Sequence, residues 1–138
     1  MDAFTREALA IDVDQGIKGE QVVEAMTWIA LSRGAPQSIR VDNGPEFISK
    51  ALDRWAYENG VTLDFSRPGK PTDNAFVESF NGRLRDECLD THWFLSLEDA
   101  RAKIEAWRRD YNESRPHTSL GWLTPIEYAA AAAKIAAE

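Results

Sequence analysis

Two carboxylates carry most of the chemistry that can be read in this chain. Asp42 stands in Ile39-Arg40-Val41-Asp42-Asn43-Gly44-Pro45-Glu46-Phe47, at the end of a strand-like run. Glu78 stands in Pro71-Thr72-Asp73-Asn74-Ala75-Phe76-Val77-Glu78-Ser79-Phe80-Asn81-Gly82, inside a helix-like run. Hard oxygen donors of this kind suit Mg²⁺, which prefers carboxylates, water and phosphate oxygens. Two such ions about 4 Å apart can activate an attacking hydroxyl and stabilise a leaving oxygen at a phosphodiester. Each residue also has a plainer reading. Asp42 is a favoured N-cap type for a helix starting at Pro45, and Glu78 is an ordinary surface glutamate on an amphipathic helix.

The elements that must position these groups follow from periodicity. Leu9, Ile11 and Val13 alternate in Ala8–Asp14, which predicts a strand. Lys18 to Arg33 places Val22, Met26, Ile29 and Ala30 on one helical face, with Gly34 suited to end it. Ser38–Val41 is a short buried-strand candidate, and ligand sites in α/β sheets lie beyond the carboxyl ends of strands. Pro45 is expected to open a helix whose stripe is Ile48, Ala51, Leu52 and Trp55, ending at Gly60. Val61, Leu63 and Phe65 then predict a third strand. Prolines and Gly69 forbid regular structure in 66–71, which reads equally as a mobile lid or a passive connector. Helices are expected from about Thr72 to Cys88, burying Phe76, Val77, Phe80 and Leu84, and from about Ser96 to Asn112, burying Ala100, Ile104, Trp107 and Tyr111. The alanine-rich tail from Thr124 predicts one more. The order is α/β.

On the second-carboxylate helix, Asn74, Glu78, Asn81, Gly82 and Arg85 share one polar face, opposite the apolar stripe. Two carboxamides, a small residue and an arginine around one glutamate make a more selective face than a random solvated surface.

Composition sets outer limits. The 138 residues, 43% of them hydrophobic, suffice for one domain with a filled core and not for two comfortable ones. No apolar run approaches the roughly 20 residues of a membrane span, and the N-terminus lacks the basic and apolar parts of a signal peptide. The one cysteine, Cys88, excludes an internal disulfide. A reduced, cytoplasmic setting is expected. The net charge of −7 opposes a nucleic-acid partner, but 101–117 runs the other way, with Arg101, Lys103, Arg108, Arg109 and Arg115 against Glu105, Asp110 and Glu113.

The motifs resemble the catalytic domain of bacterial insertion-sequence transposases of the two-reading-frame type, in the retroviral-integrase superfamily. The matching stretches are Val41 to Phe47, Pro68 to Arg85, Tyr111-Asn112, Arg115 to Gly121 and Thr124 to Tyr128, almost the whole chain. The resemblance implies a ribonuclease-H-like (integrase core) α/β fold and an Asp, Asp, Glu triad holding two Mg²⁺ or Mn²⁺ ions. It also implies cleavage of transposon ends and joining of 3′ hydroxyls to target DNA. Asp42 matches the second aspartate and Glu78 the glutamate, with 35 residues between them. In that scheme Asp42 bridges both ions, Glu78 holds one, and Asn43 and Asn74 give hydrogen-bonding support.

Further expectations follow from the same likeness. Arg67, Lys70, Arg83 and Arg85 flank the region where a DNA backbone should pass, although each also reads as an ordinary surface charge. The first aspartate and its strand are expected upstream of Met1, so that the fold lacks its first strand or strands. Asp12 and Asp14 read better as a strand end and a turn than as substitutes. The expected division is a truncated core over 1–112 and a C-terminal tail with a short helix over 113–138. Such a chain is expected to be inactive or nearly so by itself, with DNA, further copies of itself or full-length transposase as partners. The alternative is a non-catalytic remnant that binds transposase or DNA. Arg115-Pro116-His117 is expected to be structural, closing the last long helix against the core.

Overall fold

The computed structural model describes residues 1–65 and 75–137. The chain forms two compact units, Asp14–Ala75 and Met1–Val13 with Phe76–Glu138.

In the first unit the expected helix is α1, Gly19–Arg33. It is followed by β1, Ser38–Val41, then α2, Lys50–Asn59, and β2, Thr62–Phe65. The strands pair in parallel, Ser38 opposite Thr62 through Val41 opposite Phe65, and α2 makes the crossover that parallel neighbours require. Leu52, Trp55, Ala56 and Val61 form the core, with Val22, Val23, Met26, Ala30, Ile39, Phe47 and Leu63 packed on it. The sheet alternates accordingly, Arg40 and Asp64 outward and Ile39 and Leu63 inward. Gly60 ends α2 at φ 67°, ψ 31°, its N–H donating to Ala56 and Tyr57 carbonyls. Only glycine adopts this left-handed geometry without steric cost.

Pro45 does not begin α2. The Gly44 carbonyl accepts from Phe47 and Ile48 N–H, each at 3.0 Å, closing one isolated turn. Ser49 is then extended (φ −140°, ψ 150°) and its hydroxyl accepts from Leu52 N–H at 3.1 Å. The extended Ser49 breaks any continuous helix from Pro45. Ile48, placed before the helix, is 59% exposed instead of joining the stripe.

The helices described in the second unit all follow Val13. This unit contains α3, Ala75–Leu84, continued by a π-helical turn over Arg85–Leu89. After it come α4, Leu97–Ser114, a 3₁₀ turn at Thr118–Leu120, and α5, Pro125–Ala137. Ser96 caps α4 through Asp99 N–H at 3.0 Å. Its stripe is as expected: Ala100, Ile104 and Tyr111 are buried and Trp107 is half-buried. Thr124 and Glu127 cap α5 reciprocally, N–H to carboxylate at 2.9 Å and N–H to hydroxyl at 3.2 Å. Phe80 and Tyr111 pack with Ala8, and Cys88 with Ala100 and Ile104. Burial pushes the Cys88 thiol up.

The strand expected over Ala8–Asp14 is not formed among the described residues. The alternation survives, with Ile11 and Val13 packed inward and Ala10, Asp12 and Asp14 exposed. Several of its backbone groups instead bond α4 side chains. Ala8 N–H donates to Asn112 Oδ1 at 2.8 Å, and Ala8 C=O accepts from Asn112 Nδ2 at 3.0 Å and Arg108 at 2.8 Å. Arg101 reaches the Val13 carbonyl at 3.1 Å. Asn112 thereby gives Ala8 the donor and acceptor that a neighbouring strand would.

Candidate active site

Asp42 follows β1 directly and is exposed. Its Oδ1 accepts from Gly44 N–H at 2.8 Å, an Asx turn that swings the chain away from the strand. Because Ser49 caps α2, the capping role open to Asp42 in the sequence is not the one it fills. Asn43 beside it is also exposed. Glu46, which sequence reasoning did not single out, folds its carboxylate back toward Gly44: a Cβ on that glycine would lie 2.7 Å from Glu46 Oε1 and 2.9 Å from Asp42 Oδ1. The signal was its place four residues after Asp42 in a turn.

Glu78 lies in the first turn of α3 and is exposed. Carboxylates are favoured near a helix N-terminus by the helix dipole. Asn81 and Arg85 are exposed and Gly82 is half-buried, in keeping with the expected polar face. On the opposite side Phe80 is 8% exposed and touches Tyr111 and Trp107, ring centres 5.0 and 5.5 Å away. Val77, expected in the buried stripe, is 42% exposed. One residue before Glu78, it falls on the shoulder of the helix, and the seam is carried by Phe80 and Leu84. Phe76 falls outside the described side chains, and Arg67, Lys70 and Asn74 fall outside the described residues.

Arg83 and Arg85 are both exposed. Arg83 comes within 3.9 Å of Glu87, a long contact for a 57% exposed side chain and worth little in water. Arg115 instead pairs with Glu87 in two-pronged fashion and lies over the Trp107 and Tyr111 rings. Arg115 therefore closes the end of α4 onto the α3 extension, the structural role expected of Arg115-Pro116-His117. His117 joins in, edge-on to Tyr111 at 5.3 Å, with its backbone N–H donating to Leu123 C=O at 3.0 Å.

Asp42 belongs to one compact unit and Glu78 to the other. The donors are of the type a hard divalent cation takes. Among the described residues no group of three or more His, Cys, Asp or Glu side chains is placed to hold a metal ion. The donor chemistry fits, then, with two carboxylates supplied.

Two family models, each described as an integrase core domain, match residues 1–71 and 59–125. The chain belongs to the integrase core domain family. This integrase core chain is 58% identical over 130 residues to an uncharacterized 31.7 kDa protein of insertion element IS407 from Burkholderia multivorans. The match covers 94% of the chain and 47% of that relative, so the chain spans about half the relative's length. Among solved structures it is similar to the catalytic core domain of BIV integrase, with a TM-score of 0.66 and 19% identity, covering 92% of this chain and 80% of that one. It is also similar to the HTLV-2 integrase catalytic core domain in complex with magnesium, a trimeric form, with a TM-score of 0.58 and 19% identity, covering 80% and 69%. The fold is thus the ribonuclease-H-like α/β integrase core that the motifs implied. Among the described residues, no helix is long and apolar enough to cross a membrane.

Proposed function

We propose that this chain is the integrase-core part of an insertion-element transposase. Its role is the metal-dependent cutting of transposon ends and the joining of their 3′ hydroxyls to target DNA in the bacterial cytoplasm. The observation that carries the reading is membership of the integrase core family; the exposure of Asp42 and Glu78, which match the second aspartate and the glutamate of the family motif by resemblance, supports it.

Asp42 and Glu78 would hold divalent cations, Mg²⁺ or Mn²⁺. Bound there, the ions supply Lewis acidity to the attacking hydroxyl and the leaving oxygen. The rest falls to the chain. The Asx turn holds the Asp42 carboxylate at the strand end, and Asn43 and Asn74 give hydrogen-bonding support in the two-ion scheme. Phe80 pins α3 so that Glu78 faces solvent. Arg83 and Arg85, with Arg67 and Lys70, take DNA phosphates, a contact that makes binding salt-dependent. These local cations supply the attraction that the net charge of −7 withholds. Further copies of the chain complete the assembly on DNA.

A transposition assay with the complete reading frame tests the reading. Asp42→Asn and Glu78→Gln should each reduce transposition at least about 100-fold while leaving DNA binding in place. Transposition at the unmutated level in either variant would overturn it.

A further inference from the structure

Glu87 and Arg115 form a half-buried pair 28 residues apart, with side chains 33% and 25% exposed. One Arg115 nitrogen donates to Glu87 Oε2 at 2.6 Å and another to Oε1. The guanidinium is 5.6 Å from the Tyr111 ring centre and 6.0 Å from that of Trp107. A two-pronged guanidinium–carboxylate pair fixes orientation as well as distance. Glu87 lies on the π-helical turn that continues α3, so the pair grips the helix that carries Glu78.

The geometry makes this grip a matter of aim. At about 100° per residue, Phe80 lies roughly 160° around α3 from Glu78. The buried seam of Phe80 and Leu84 therefore sets which way Glu78 points. Phe80, Leu84 and Cys88 hold the apolar side of this helix by packing, and the Arg115–Glu87 pair adds a polar anchor beyond Leu84 that is specific in orientation and resists a residual roll. A roll of about 20° would move a carboxylate roughly 6 Å from the axis by about 2 Å. Misplacement of about 1 Å can cost a reacting site about 100-fold.

We propose that Arg115 is a positioning residue for Glu78, locking the rotation of α3 through its two-pronged pairing with Glu87. The role rests on the reading of Glu78 as a metal ligand, and it extends the metal site to a residue 37 positions downstream.

The test uses the complete transposase carrying Arg115→Met, Arg115→Lys or Glu87→Gln, with Glu78→Gln as the reference. Mn²⁺ affinity is measured by electron paramagnetic resonance, DNA affinity without metal by gel shift, and α3 protection by hydrogen exchange. Arg115→Met and Glu87→Gln should weaken Mn²⁺ binding about 10- to 100-fold, with Arg115→Lys between them and the parent. Metal-free DNA affinity should stay within about 2-fold, and exchange across 77–84 should quicken about 10-fold. Mn²⁺ affinity within about 3-fold of the parent in Arg115→Met and Glu87→Gln would overturn the proposal, as would a parallel loss of DNA affinity. If Glu78→Gln leaves Mn²⁺ binding intact, the ligand reading of Glu78 fails. Hydrogen exchange then decides the lock by itself, with unchanged α3 protection overturning it. Glu87→Gln keeps side-chain shape and carries the test should Arg115→Met fail to fold.

Discussion

Ser49 and Asp42 offer a direct separation of stability from chemistry. Both are residue types that cap helices, and both precede α2. In the structure the bond to Leu52 N–H belongs to Ser49, and Leu52 is 1% exposed at the centre of its core. Ser49→Ala should therefore cost about 1 kcal/mol, the usual loss for an N-cap hydroxyl. With an unfolding entropy of roughly 2 cal/mol/K per residue, that corresponds to a fall of about 3–4 °C in Tm for a chain of this size. Asp42 is exposed and its Oδ1 accepts from Gly44 N–H, a bond that an asparagine oxygen can also accept. Asp42→Asn should shift Tm by less than about 2 °C, within the roughly ±0.5 kcal/mol typical of surface changes. Transposition should respond in the opposite order, nearly unchanged in Ser49→Ala and lost in Asp42→Asn. Thermal melts followed by circular dichroism, beside the transposition assay, decide the matter. A fall in Tm for Asp42→Asn as large as that for Ser49→Ala would refute the assignment of the cap. Gly19 gives a companion check: a Cβ there would lie 2.5 Å from Ser49 Cβ, so Gly19→Ala should lower Tm by more than Ser49→Ala does.

Three further outcomes are expected. Asn112→Ala should destabilise by about 2 kcal/mol in urea denaturation, because it strips the partner from the buried Ala8 N–H while Arg108 still serves the carbonyl; a loss below about 0.5 kcal/mol would count against the bond. Burial, with the Arg115, Arg83 and Arg6 guanidiniums, holds His117 below its usual 6.5. The unfolded chain then takes up a proton near pH 6.5 that the folded chain refuses, so stability should fall as pH drops through that value toward the folded pKa, and His117→Phe should flatten the Tm profile there. Finally, Arg83→Ala with Arg85→Ala should lower the salt slope of DNA binding by about 1.8, or roughly 0.9 for each phosphate no longer neutralised; an unchanged slope in gel shifts would remove both from the DNA face.

Much of this protein was legible in its sequence wherever the deciding interactions are local. The bounds of α1, β1, β2 and α4 follow from apolar spacing, and Gly60 and Ser96 mark ends and starts through bonds made within one turn of themselves. The strand-end place of Asp42 and the outward face of Glu78 follow from the same periodicities. The tertiary structure decided what depends on partners far along the chain. The Ala8 N–H and C=O found their partner in Asn112, 104 residues away. Val77 was left outside the seam by where Phe80 meets Trp107 and Tyr111. By contrast, the extra turn closed at Gly44, which leaves the cap to Ser49 rather than Asp42, is made by near neighbours, and composition still leaves it open. Arg115 found Glu87 only because α4 returns alongside the α3 extension. Side-chain period and capping chemistry are properties of neighbouring residues, whereas a half-buried charge pair exists only after packing has removed its water and brought two distant segments within hydrogen-bond reach.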